Sequence, residues 1–194
     1  MRLPILTPPY EPRTAELLHR WMRGTEREPL ALFRLLATHP LLPERMQALS
    51  GFQLGRESSL GLRTRELLID RTCARCGCEY EWGVHAAIFA TAAGLSLEDL
   101  AASAAAPAAL AEDAPPEFSL VDELHDTGTV SDSLWPKLTE RWSPTQILEM
   151  LVLVGWYHAI SYVANAAMLP LESWAERFPP NAVAPSPLRH PAAE

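Results

Sequence analysis

The distribution of proline is the feature that most restricts how this chain can fold. Many of its 18 prolines cluster at the two ends and in one central stretch. Proline lacks a backbone N–H and clashes with the preceding helical turn, so it is excluded from helix interiors and from central strands. The clusters predict a proline-rich arm at 1–14, one domain at 15–178 with a loop at about 101–117, and a proline-rich tail at 179–194.

Between these clusters the apolar residues recur at helical spacing. Thr64 is a possible N-cap of a helix that runs towards the cysteines. A helix is predicted from Glu79 to Ala93 and another from Pro116 to Thr127, each followed by a glycine suited to the left-handed C-terminal position. The longest helix is predicted to run from Pro144 to about Met168, with Ser143 as its N-cap. No window alternates apolar and polar residues as a half-buried strand does. The sequence therefore predicts an all-α fold.

A short internal repeat bears on the arrangement of these helices. Residues 90–98 match residues 164–172 at six of nine positions, and both stretches lie at the end of a long predicted helix. Because the shared residues are mostly Ala and Leu, two explanations remain open. One is chance, and the other is a duplicated helical hairpin that would give two pseudo-symmetric helical halves.

Charge and cysteine content exclude several classes of function. The chain has 16 Lys+Arg against 24 Asp+Glu, a formal net charge of −8, which argues against binding to nucleic acid or to an anionic membrane. No apolar run approaches the about 20 residues of a membrane-spanning helix. The three cysteines are crowded between residues 73 and 78, unlike a disulfide framework. We therefore expect a cytoplasmic protein with reduced thiols.

The chemistry-bearing residues are concentrated between Glu66 and His85. If Cys78 opens the predicted helix, then Cys78, Glu81 and His85 lie on one helical face at i, i+3 and i+7. An antiparallel hairpin would place Glu66 of the preceding helix opposite them. Repulsion from an ionised Glu81 would outweigh the stabilisation of a thiolate by the helix N-terminus, so a coupled network that shares protons is predicted.

This pattern resembles the alkyl hydroperoxidase D and carboxymuconolactone decarboxylase family. Cys78 lies twelve residues after Glu66, and His85 follows seven residues later, as in that family's motif. The resemblance covers about residues 28–175, and its specific part is residues 61–98. It implies an alkyl hydroperoxidase D-like helical domain, no metal or organic cofactor, and a homo-oligomer, with dimer, trimer and hexamer left open.

One departure from the motif separates two enzymatic hypotheses. In the family's peroxidase branch a second cysteine attacks the peroxide, and Glu81 occupies its position here. The favoured hypothesis is therefore a carboxymuconolactone decarboxylase-like enzyme that moves protons on a small organic acid or lactone through Glu66, Cys78, Glu81 and His85. The alternative is a thiol-dependent peroxidase, an antioxidant oxidoreductase in which Cys73 or Cys76 replaces the missing partner. A non-catalytic helical scaffold is the third.

Further residues are candidates for supporting roles. Tyr80 matches a relay position of the peroxidase branch, and His158 lies on a polar stripe with Ser161 and Asn165, where it lines a pocket or is a hydrogen-bonded core histidine. A zinc site formed by Cys73, Cys76, Cys78 and His85 is not expected, because only one half has the paired spacing of a structural site.

Overall fold

The computed structural model describes residues 1–22, 25 and 27–182, and over these residues it contains helices and no strand, as predicted. A short 3-10 turn, Pro107–Ala109, precedes the seventh helix. The α-helices are α1 Pro12–Trp21, α2 Ala31–Leu36, α3 Leu42–Gln53, α4 Leu62–Arg75, α5 Glu79–Ala93, α6 Leu97–Ala104, α7 Pro116–Thr127, α8 Trp135–Thr139 and α9 Pro144–Ala167.

Helix α4 is the centre of the fold. It packs against α5, α6, α7 and α9, and every residue from Arg65 to Ala74 is buried. This buried segment includes Glu66, Asp70 and Arg71, whose burial is unfavourable without hydrogen-bond or charge partners. The neighbouring helices must therefore supply hydrogen-bond or charge partners for these buried groups of α4.

A tight turn reverses the chain between α4 and α5. The backbone N–H of Cys78 donates to the carbonyl of Cys73 at 2.8 Å, and Gly77 takes the left-handed conformation with φ of 60°. A residue with a Cβ would be strained there. The reversal lays α5 along α4, so residues from the middle of α5 can meet residues near the start of α4.

Several predicted helix ends agree with the structure. Helices α5 and α7 begin and end at the predicted residues, and α9 begins at a capping box formed by Ser143 and Gln146. The two copies of the internal repeat also share a conformation at their central residue, because Gly94 and Met168, which follow α5 and α9, are both left-handed.

Other boundaries differ from the prediction. Helix α4 begins at Leu62 after Gly61, and the Thr64 hydroxyl, a possible N-cap in the sequence, donates instead to Glu117 at 3.1 Å. Helix α1 starts at Pro12, inside the predicted N-terminal arm, because proline is tolerated in a first helical turn. The central loop starts after Ala104, later than 101. Of the predicted tail, residues 183–194 lie outside the described residues.

Helix α9 has the length and apolar composition of a membrane-spanning helix, and it is the one such helix among the described residues. The sequence prediction had discounted such a segment. In the structure α9 packs against α4 and α5 and buries nine of its residues, including Met150, Leu153 and Tyr157. The same composition is found in the core helices of globular proteins.

The segment after α9 packs closely against α5 at Gly83. The Glu176 N–H donates to the Gly83 carbonyl at 3.1 Å, and a Cβ at position 83 would overlap the carbonyl oxygen of Glu176. Gly155 in α9 has open space at the corresponding position. The close approach of two backbones therefore requires glycine at position 83, whereas position 155 has room for a side chain.

We expect Gly83→Ala to destabilise the protein by about 1–3 kcal/mol, because the segment after α9 must move away from α5. Gly155→Ala is the matched control, and it is expected to stabilise by roughly 0.5–1 kcal/mol, since alanine is the better helix former. Urea unfolding of both variants measures the two effects. Equal shifts in the same direction would contradict the assigned close approach.

Candidate active site

His85 is the centre of a buried chain of hydrogen bonds. Its side chain on α5 is 5% exposed, and its Nδ1 lies 2.7 Å from Glu66 Oε2. The Tyr157 hydroxyl lies 3.0 Å from the other ring nitrogen, Nε2. Glu81 Oε2 is 4.0 Å from the same Nε2. Helices α4, α5 and α9 thus each contribute a polar group to one point in the core.

Both oxygens of the Glu66 carboxylate have donors that carry or can carry positive charge. Oε2 faces His85, and Oε1 accepts a hydrogen bond from the Arg65 Nε at 3.0 Å. Burial alone would raise the pKa of Glu66, but His85 and then Arg65 outweigh it and hold that pKa below its ordinary value of 4.5. Glu66 is therefore an anion at neutral pH.

The pairing with Glu66 that lowers the pKa of the carboxylate raises the pKa of the His85 imidazole. Burial by itself lowers the pKa of His85, but the Glu66 carboxylate, followed by Glu81 and Asp70, outweighs burial and raises the pKa above its ordinary 6.5. A histidine whose Nδ1–H is fixed by a carboxylate has its Nε2 available for proton transfer.

Two further carboxyl groups have raised pKa values, in contrast to Glu66. Burial raises the pKa of Glu81, and it raises the pKa of Asp70 well above its ordinary value, in both cases against the opposing effect of His85. Glu81 Oε1 and Asp70 Oδ1 have no hydrogen-bond partner among the described residues. The centre therefore combines one carboxylate stabilised as an anion with two carboxyl groups whose environment favours the protonated form.

No cysteine is poised as a thiolate. The three cysteines are free thiols. Burial, followed by the charge of Glu81, raises the pKa of Cys78 to about 12, and burial raises that of Cys76 to about 11. Burial also raises the pKa of Cys73 well above its ordinary value, and its sulphur lies 4.0 Å from the Ser161 hydroxyl. A reactive cysteine normally has a thiol pKa below the ordinary value instead.

The structure places two of the supporting candidates away from His85. The Tyr80 hydroxyl donates to Glu172 Oε1 at 2.7 Å and accepts from the Leu32 N–H at 3.1 Å, so it joins α5 to α2 and to the segment after α9. His158 lies against His125. Tyr80 and His158 therefore make contacts outside the Glu66–His85 group.

Two residues at the centre were absent from the sequence-based candidates. Asp70 follows Glu66 by four residues in α4, so helical spacing alone puts both on one face. Tyr157 had no such local signal, because it lies 72 residues from His85 and ends an apolar run. Glu66, Glu81 and His85 are brought together, and Cys78 lies beside Glu81.

The fold and the site together define a helical domain with a buried acid–base centre on a helical hairpin. Residues 40–121 match the model of the carboxymuconolactone decarboxylase family, which confirms the resemblance seen in the sequence. The match includes α3, α4, α5 and α6, and hence Glu66, Cys78, Glu81 and His85.

A solved structure shows that the fold extends over most of the chain. It is the crystal structure of a protein from Silicibacter sp. TM1040 described as an uncharacterized peroxidase-related protein. The TM-score is 0.72 at 13% sequence identity, and the similarity covers 89% of this chain and 91% of the other. At that identity the likeness establishes the fold. A search of curated proteins gave no match.

Proposed function

We propose that this protein is an enzyme that transfers protons to and from a small organic acid or lactone, with His85 as the acid–base group. The observation that carries the proposal is the position of His85 between Glu66 and Tyr157, with Nδ1 2.7 Å from the carboxylate and Nε2 3.0 Å from the hydroxyl. A histidine oriented by a carboxylate is a common arrangement for general acid–base catalysis.

Three polar groups of the centre have roles in this chemistry. Once the substrate has displaced the Tyr157 hydroxyl from Nε2, neutral His85 accepts a substrate proton there, and the Glu66 anion stabilises the imidazolium that results. Glu81 in its protonated form donates a hydrogen bond to the substrate oxygen on which negative charge develops. In a decarboxylation, the carbon–carbon bond to the carboxylate breaks, carbon dioxide leaves, and His85 returns a proton to the carbon that held it.

A groove that reaches α9 at Leu153 supports a small and largely apolar substrate, although no residue of the His85 centre lines it. It has a volume of about 250 Å³ and is lined on one side by α9, including Leu148, Val152 and Leu153. Leu153 precedes Tyr157 by four residues, about one helical turn along the same helix. Gln53 also lines the groove, and its buried amide group lacks a hydrogen-bond partner among the described residues.

A thiol peroxidase is the second candidate. Three free thiols within six residues favour it, and so does the likeness to the Silicibacter protein, which is described as peroxidase-related. The raised pKa of Cys78, about 12, opposes it, because little thiolate is present at neutral pH. Glu81 also occupies the position at which the resemblance predicts the attacking cysteine.

The two candidates differ in what they require of Cys78. The assay follows release of carbon dioxide and uptake of solvent deuterium with carboxymuconolactone and small β-keto acids, and peroxide consumption with excess dithiol. Acid–base turnover is expected in the wild type and in Cys78→Ser, and peroxide turnover is expected only in Glu81→Cys, which restores the paired cysteines. Wild-type peroxide turnover that is lost in Cys78→Ser would support the peroxidase instead.

A further inference from the structure

A second cluster of potential ligands lies outside the His85 centre. It consists of Cys76 at the C-terminal end of α4, His125 in the last turn of α7, and His158 in α9. The thiol sulphur and one ring nitrogen of each histidine lie within 4.8 Å of one another. All three residues are half-buried, so an ion from solvent can reach them. We propose that Cys76, His125 and His158 bind a divalent transition-metal ion of the Zn²⁺ type.

The hydrogen bonding of His158 leaves one ring nitrogen free for a metal. His158 Nδ1 lies 2.9 Å from the carbonyl oxygen of Val154. A carbonyl oxygen can only accept, so Nδ1 carries the proton and Nε2 presents its lone pair toward His125 Nδ1, 3.0 Å away. Metal-binding histidines usually have this arrangement, with the second ring nitrogen donating to a backbone carbonyl or a carboxylate.

The backbone around Cys76 is fixed to the same helix that carries His158. The Asn165 side chain donates from Nδ2 to the Cys76 carbonyl at 2.8 Å. His158 and Asn165 are seven residues apart in α9 and therefore lie on one face. These two residues and Ser161 form the polar stripe predicted from the sequence. The stripe contacts the end of α4 and Cys73. The scaffold that would hold the three ligands is therefore in place without an ion.

The separations and the donor types fit a tetrahedral ion with one open position. With Zn–N of about 2.0–2.1 Å and Zn–S of about 2.3 Å, ligand atoms of a tetrahedral site lie about 3.3–3.6 Å apart. The two nitrogens, at 3.0 Å, are near this range, and the ligand atoms of all three residues lie within 4.8 Å of one another, so side-chain rotation can bring the sulphur into it. Two imidazoles and a thiolate suit Zn²⁺, and water would complete the coordination.

The local charges are balanced, so they do not repel a cation strongly. Arg75 lies beside His125, and its guanidinium is paired with Asp122 at 3.2 Å and with Asp126. The Cys76 thiol must lose its proton to bind as a thiolate, and that proton goes to solvent. Binding is therefore written as Zn²⁺ plus thiol giving the Zn²⁺–thiolate and one released proton.

Titration of the chelator-treated protein with Zn²⁺ and with Co²⁺ tests the proposal. We expect one ion per chain, release of one proton, and a thiolate-to-cobalt charge-transfer absorption. Cys76→Ser should abolish that absorption, and His125→Gln or His158→Gln should weaken binding by about 100-fold or more. His39→Gln, at an exposed histidine, and Cys73→Ala, at the neighbouring thiol, are the matched controls and should bind as the wild type does.

The outcomes separate this site from the His85 centre. Circular dichroism of the metal-free variants verifies that each one folds, and the two histidine variants give independent tests. The proposal is overturned if no saturable binding occurs, if binding persists unchanged in both histidine variants, or if Cys76→Ser retains the charge-transfer absorption. Loss of binding in His85→Gln alone would also overturn it, because the ion would then occupy the buried centre.

Discussion

Replacement of Glu66 by glutamine is expected to lower the pKa of His85 below 6.5 and to reduce the proposed turnover by about 10²- to 10⁴-fold. In the wild type burial lowers the pKa of the imidazole, and the Glu66 carboxylate, together with Glu81 and Asp70, outweighs that effect. The amide of glutamine can still accept from Nδ1, but it lacks the charge that stabilises an imidazolium. Nuclear magnetic resonance titration of the imidazole and the pH dependence of turnover measure the two effects.

The same variant should change how stability depends on pH. The folded pKa of His85 is raised above 6.5, so its contribution to stability is complete below pH 6.5 and is lost as pH rises through the folded value. The folded pKa of Glu66 is lowered below 4.5, so its contribution is present above pH 4.5 and is lost as pH falls through the folded value. The free energy of unfolding of the wild type should therefore exceed that of Glu66→Gln by about 1.5–3 kcal/mol between pH 4.5 and 6.5, and by less outside this range.

Glu117→Gln is the matched control for this experiment. Glu117 is also a buried glutamate, 6% exposed, but it accepts from Thr64 and lies on α7, away from His85. We expect it to leave the titration of His85 and the turnover unchanged. If both variants lowered turnover equally while the imidazole titration stayed at its wild-type value, the assignment of Glu66 as the group that controls His85 would be wrong.

Local chemistry explains which parts of the fold could be predicted from the sequence. Gly94 and Gly128 take the left-handed conformation, and Ser143 forms a capping box, so these helix ends depend on residues within one turn. Thr64 had an equally good local signal. Its hydroxyl meets Glu117 instead, a partner 53 residues away, and local spacing carries no information on such contacts.

In the candidate site, too, the sequence could place some residues and not others. Helical spacing placed Glu81 and His85 together, and an antiparallel hairpin placed Glu66 opposite them, in agreement with the spacing in the resembled family. Tyr157 was missed because α9 returns to the hairpin after 72 residues. Tyr80 is near His85 in sequence, but Glu172, 92 residues away, determines the position of its hydroxyl. Residues whose partners come from distant helices were therefore the ones that the sequence could not place.

Arg71 is the largest such omission, and Arg71→Leu is expected to destabilise the protein by about 3–5 kcal/mol. Its side chain is fully buried, and its guanidinium pairs with both oxygens of Asp122 on α7, at 2.8 and 2.7 Å. It also donates to carbonyls at the end of α6, among them that of Ala105 at 2.6 Å. Leucine fills much of the volume but leaves these carbonyls without their donor, and Asp122 keeps only its ion pair with Arg75. Urea unfolding at neutral pH measures the loss.

The matched control is Arg63→Leu, which removes the same charge from the same helix. Arg63 also pairs with an aspartate and a carbonyl, Asp99 and Gly94, but its side chain is 47% exposed, so water can replace it. We expect a loss of about 1 kcal/mol or less. Equal losses in the two variants would show that arginine burial does not matter here. A large loss in Arg71→Leu alone would mean that one buried guanidinium joins α4 to α6 and α7, and so holds the helix that carries Glu66.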